Sequence, residues 1–385
     1  MPGPAAHAAT KPAADRPGRV LLAPVTITPT KPLTPSHLKF LLWSDVMYRA
    51  TALLTECAYR YSHTTYHLTE QTLGFWAYLD HTRGDSDYED LSEEQIGELY
   101  VAYRQDPHRP TADELRPYAD AVEHQGWVHP VSVRVLRWWT AHFSRLGLHD
   151  PGLLAHQPPG MDLDEVLEHL GALDVLLDLR GHGGPVYLDL TRWGLPLRPI
   201  VGADGRPNYL ACALRELLPL APEYDEVVLV YDPELGPDYR LLERTLAIAG
   251  AGTRRFAIGR VPIDGVVRSA RQGGWQGHAA DALLAAADGH EPEAVRLGMR
   301  LYFIAVLGPG TQQSFRHDLL EQCLRRAARL LATASDGLTR EEMATEIGRH
   351  RRDHLFVHPY RLTSALLARR RPAPPATSLL REVYL

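Results

Sequence analysis

Apolar residues along the chain switch between two kinds of run. RVLLAPVTIT (19–28) is an apolar, β-branched run that predicts a strand, DEVVLVYD (225–232) has the pattern of a buried parallel strand, and RRFAIGRVPI (254–263) predicts another strand. YSHTTYHL (61–68) is β-prone and predicts a further strand, and GPVYLDLTRWG alternates as a half-buried strand does. Between these, Leu38, Leu42, Val46, Ala50 and Leu53 recur every three or four residues, predicting a helix with one buried face. Helical periods also fill about 70–160, 209–220, 237–250 and most of the chain after 278, with a Pro/Arg-rich linker at 369–376.

Strand, helix and strand, then a long helical stretch, then renewed alternation, predicts an α/β chain. The expected form is a Rossmann nucleotide-binding core with a helical insertion and a short helical C-terminal part. The expected divisions are a disordered Pro/Ala tail (1–20), the first half of the core (21–70), the mainly helical insertion (71–183), the second half of the core (184–277) and the helical C-terminal part (278–385).

Composition narrows the partners. With 385 residues, 45% of them hydrophobic, the chain has ample material for a large core. A net charge of −6 supplies no global basic field, so DNA is not an expected partner. Cys57, Cys212 and Cys323 are too scattered for a disulfide framework or a zinc site, which fits a cytoplasmic protein, and no metal-ligand spacing occurs. No apolar run reaches membrane-spanning length.

Candidate chemistry begins at KPLTPSHLK (31–39). Thr34 is a good helix N-cap and Pro35 a good first helical residue, so His37 falls in the first turn, where unpaired amides and the helix dipole favour an anion. The plain alternative is a capped helix with a solvent-facing histidine.

Four colinear segments then resemble the catalytic domain of arginyl-tRNA synthetase, a class I synthetase. The first is TPTKPLTPSHLKFLLWSDVMYRATALL, in which His37 falls on the second histidine of the HxGH signature, Thr34 replaces the first and Ser36 replaces the glycine. In the second, Tyr209 matches a substrate-pocket tyrosine; in the third, Asp232 matches an aspartate after a core strand. In the fourth, Ser269, Arg271 and Gly273 fall on the mobile KMSK-type loop, with Arg268 on its methionine. The resemblance spans about residues 21–310.

It implies ATP as cosubstrate, with Mg2+, and activation of an amino acid or related carboxylate. The adenylate would pass to a small amine, a carrier protein or a tRNA. His37, Lys39, Arg268, Ser269 and Arg271 are the implied catalytic residues, Thr34, Ser36, His37 and Gly273 the implied ATP contacts, and Tyr209 and Asp232 the implied substrate contacts. Ala213 and Leu235 stand where the family has polar substrate partners, so arginine is not the expected amino acid. A non-catalytic paralogue that binds nucleotide, tRNA or protein, and a residual arginyl-tRNA synthetase completed in trans, are the competing expectations.

Overall fold

The structure, a computed structural model, describes residues 18–84, 86–267, 272–368 and 374–385. Its centre is a four-stranded parallel sheet of β1 (Arg19–Pro24), β2 (Glu56–Tyr59), β6 (Glu226–Tyr231) and β7 (Thr253–Ala257), in the order β2-β1-β6-β7. β1 and β6 pair from Val20 opposite Glu226 to Pro24 opposite Val230. They are the central strands, and their side chains alternate between two separate cores. Val20, Leu22, Val228 and Val230 face one; Leu21, Ala23, Val227 and Leu229 face the other. This is why both strands are apolar at successive positions.

Helix α1 (Pro35–Ala52) crosses from β1 to β2. The single apolar face expected of it is only part of its burial. Leu38, Leu42, Val46 and Ala50 are buried, but so are Leu41, Trp43, Asp45 and Met47. The sheet covers one side of α1, and the C-terminal helices α13 (Pro359–Ala365) and α14 (Thr377–Tyr384) cover another. The expected strand over 61–68 lies earlier, at Glu56–Tyr59, and Thr65–Leu68 forms a 3₁₀ turn.

Between the halves of the sheet run α2 (Glu70–Arg83), α3 (Glu93–Gln105), α4 (Ala112–Gln125), α5 (Pro130–Leu146) and α6 (Leu163–Ala172). There follow a small antiparallel sheet of β3 (Leu176–Asp178), β4 (Val186–Leu188) and β5 (Arg198–Val201), and then α7 (Tyr209–Leu217). β4 and β5 therefore belong to this separate sheet, although they lie in the span expected to form the second half of the core. Helix α8 (Gly236–Ile248) links β6 to β7. The remainder is helical: α9 (Ala280–Ala286), α10 (Pro292–Arg300) running into a π-helical turn at Leu301–Val306, α11 (His317–Ala332) and α12 (Arg340–Gly348). Among the described residues, no helix is long and apolar enough to cross a membrane.

The chain leaves β1 toward β2 on one side and β6 toward β7 on the other, so the order reverses between β1 and β6. In open parallel sheets, the crevice beyond the strand C-termini at such a reversal is where ligands bind.

Candidate functional site

A cavity of about 230 Å³ opens at that reversal. Its walls come from the segment after β1 (Val25–Thr28), the start of α1 (Thr34, Ser36, His37 and Phe40), Asp232 after β6 and Arg260 after β7. Lys31, Gln71, Tyr100, Tyr209, Leu235 and Ile258 complete it.

Thr34 caps α1 in extended geometry, with Pro35 in the first helical position. The Thr34 amide donates to Nδ1 of His37 at 3.1 Å. A nitrogen that accepts cannot also carry the proton, so the neutral ring has its hydrogen on Nε2. Burial, and then the charges of Lys31 and Arg260, push the His37 pKa down to about 3. His37 is thus a neutral hydrogen-bond donor at ordinary pH, not a cation. Ser36 Oγ accepts from the Val261 amide at 3.0 Å, which ties the chain after β7 to the start of α1.

Gly273 lines a narrow adjoining cleft with Thr34, Ser36, Gly274 and Trp275. Its φ of +72° is in the left-handed region, which glycine adopts without strain. Thr34 and Ser36 thus line both spaces, next to Gly273 in the cleft and next to His37 in the cavity. Arg268, Ser269 and Arg271 lie outside the described residues.

Tyr209 opens α7 behind its N-cap Asn208. Its hydroxyl donates to the Thr26 carbonyl at 2.7 Å, and its ring packs on Tyr66 with centroids 4.4 Å apart. Asp232 Oδ1 accepts from the Glu234 amide at 3.0 Å, while Oδ2 is ion-paired with Arg260. Arg260 also reaches Glu234 at 2.7 Å.

Lys39 is placed elsewhere. Its side chain is buried and its Nζ donates to the Gly310 carbonyl at 2.6 Å, joining α1 to the segment after the π-helical turn. Helical spacing accounts for this: two residues beyond His37, it points to a different face. Ala213 likewise packs in the core beside Leu210 and Leu214 and does not line the cavity, whereas Leu235 does. Asp45, part of the first resembling segment, is buried against Arg300 at 2.5 Å and braces α1 against α10. Among the described residues, no three His, Cys, Asp or Glu side chains converge as metal ligands would.

The insertion holds the site from behind. Buried Glu93 on α3 accepts from the Leu33 amide at 3.2 Å and from Trp139 Nε1 at 3.1 Å, and pairs with His142 Nε2 at 2.8 Å. Gly97, one turn on, lets the segment before α1 approach: a Cβ there would come within 2.6 Å of Pro32 and 2.4 Å of Trp275. Arg260 and Glu93 were not singled out in the sequence. Arg260 does carry a signal, since it closely follows the C-terminal end of a core strand. Glu93 carries none, because its partners are distant along the chain.

Across 98% of its length the chain superimposes on 80% of the arginyl-tRNA synthetase of Thermus thermophilus, with a TM-score of 0.57 and 16% identity. The chain has the fold of an arginyl-tRNA synthetase. Two further solved structures are more distant. The arginyl-tRNA synthetase of Plasmodium falciparum has a TM-score of 0.46 at 13% identity over 87% of this chain and 56% of that one. The methionyl-tRNA synthetase of Mycobacterium tuberculosis, solved with methionyl-adenylate, has a TM-score of 0.40 at 11% identity over 84% and 74%. No protein-family model matches the chain, and no curated protein matches it by sequence. At this distance what is shared is the synthetase-like fold.

Proposed function

We propose that the chain is an ATP-dependent ligase that activates an amino acid or a related carboxylate as its adenylate. The observation that carries this reading is the cavity at the β1/β6 reversal, which the start of α1 lines with His37 beside Lys31. A helix start, a neutral N–H donor and the Lys31 ammonium suit a phosphate chain. In the reaction a carboxylate oxygen attacks the α-phosphorus, the bond from that phosphorus to the bridging oxygen breaks, and pyrophosphate leaves. Little proton transfer is required; in-line positioning and stabilisation of the developing charge do most of the work.

In this reading His37 donates to phosphate oxygen, and Thr34, Ser36 and Gly273 border the nucleotide. Arg268, Ser269 and Arg271 are kept as loop contacts on the resemblance alone, and Tyr209 frames the acid. Asp232, the only carboxylate among the described residues lining the cavity, is already paired with Arg260, so Mg2+ would arrive bound to the phosphates. The adenylate would pass to a small amine, a carrier protein or a tRNA, and we place the reaction in the cytoplasm.

Pyrophosphate exchange into ATP across a panel of amino acids tests the reading, together with calorimetry of ATP and Mg2+. Exchange with at least one amino acid supports it. Absence of nucleotide binding by the folded protein overturns it. One observation favours a second reading, a paralogue that binds without chemistry: Lys39 is committed to Gly310 rather than to the cavity. Nucleotide binding without exchange for any amino acid would support that alternative.

A further inference from the structure

Arg260 stands in the cavity wall between two carboxylates. It pairs with Asp232, which also lines the cavity, and with Glu234 at the rim. Its position follows from the sheet: three residues past the end of β7, it lies beside the residue that follows the neighbouring strand β6. Asp232 is held from both sides, by Arg260 on one oxygen and by the Glu234 amide on the other. A carboxylate so engaged has little capacity left for a ligand's cation. Lys31, 5.2 Å from the centroid of the Tyr100 ring, is a second cation in the same wall. Asp232 takes Arg260 Nε and Glu234 takes its Nη2, so Nη1 is the guanidinium nitrogen left to face a ligand, and Leu235 and Ile258 supply apolar surface beside it.

We infer that Arg260 determines the charge class of the acid this cavity accepts: the group beyond the reacting carboxylate is neutral or anionic, and cationic side chains are rejected. The inference rests on the proposed function, with the acid seated in this cavity beside the phosphate chain. Rejection has two physical sources. A guanidinium or ammonium brought beside Arg260 meets like charge, and its natural partner Asp232 is already neutralised. An anionic side chain meets the opposite situation, because Arg260 Nη1 carries neither carboxylate and can donate to it.

Calorimetry with L-glutamate, L-leucine and L-arginine tests this on the full chain, with ATP titrated separately. All three probes carry the same α-amino and carboxylate groups, so differences between them report the side chain. Glutamate and leucine are expected to bind at least about tenfold more tightly than arginine. Arg260→Met releases Asp232 and should improve arginine affinity by roughly tenfold while weakening glutamate. Asp232→Asn acts in the opposite sense, releasing Arg260 and strengthening glutamate; it keeps the test open if Arg260→Met fails to fold. Wild-type protein that prefers arginine, or that binds none of the three, overturns the inference. So does a pair of variants that leaves the ranking unchanged. Failure to bind ATP, with the amino-acid ranking intact, would instead count against the adenylation reading and leave the role of Arg260 standing.

Discussion

The amide of Thr34 donates to Nδ1 of His37, three residues further along, at 3.1 Å. This one contact folds the imidazole back over the start of α1, settles which ring nitrogen carries the proton and satisfies a helix-start amide. The ring is therefore part of the cap and part of the cavity wall, which separates two kinds of consequence on mutation.

His37→Ala should weaken ATP binding by about 1–2 kcal/mol, roughly tenfold in Kd, through loss of the Nε2–H donor. It should also cost stability, on the order of 1 kcal/mol, because the Thr34 amide loses its acceptor. Paired calorimetry and melting curves separate the two. A variant that melts lower but binds ATP as tightly as wild type would reduce His37 to a cap.

Lys39→Met should leave ATP affinity unchanged and alter only stability. Burial pushes the Lys39 pKa down to about 8, and its ammonium is spent on the Gly310 carbonyl. Removing one partner of that buried bond costs roughly 1–3 kcal/mol, offset in part because methionine needs no desolvation of a charge. Loss of nucleotide affinity at normal melting temperature would return Lys39 to the site.

Glu93→Gln should retain the fold and loosen the site. The amide oxygen can still accept from Leu33 or Trp139, but the charged partner of His142 is gone. We expect a loss on the order of 1–3 kcal/mol in stability, with hydrogen exchange at Leu33 and through the first turn of α1 faster than in wild type. Unchanged protection there would show that the insertion does not brace the site.

Stability should fall between about pH 6.5 and pH 4. Burial lowers His63 to about 4, with His156 adding to the effect, and lowers His37 to about 3; His67 is also held well below its usual range by burial and by His63. Each ring is neutral when folded and free to protonate when unfolded. The unfolded chain therefore binds more protons in this window, and stability rises with pH across it. His63 alone contributes on the order of 2–3 kcal/mol of this loss by pH 4. His63→Phe should flatten the acid limb of the melting profile; an unaltered slope would assign the acid sensitivity to other groups.

What the sequence determined by itself is what depends on neighbours along the chain. β1 and β6 were legible because strands covered on both faces must be apolar at successive positions, and the start of α1 because Thr-Pro capping is local; β7, at the sheet edge, is largely exposed. Even there the reading slipped where the signal was ambiguous: threonine, tyrosine and histidine over 61–68 suit a strand, yet that stretch turns in 3₁₀ geometry after β2. Only the tertiary structure decided which polar groups face the cavity. Lys39 and His37 are two residues apart, but the helix turns them to different faces, and Gly310 was waiting for one of them. Arg260 and Asp232 are 28 residues apart and meet because β6 and β7 are adjacent and parallel, so that the residues following them emerge side by side. Glu93 reaches the amide of Leu33 from 60 residues away through the packing of the insertion. Local periodicity reports which face of an element is buried; the partner of a charged group is chosen by the register and packing of distant segments, and that choice gives this cavity its charge.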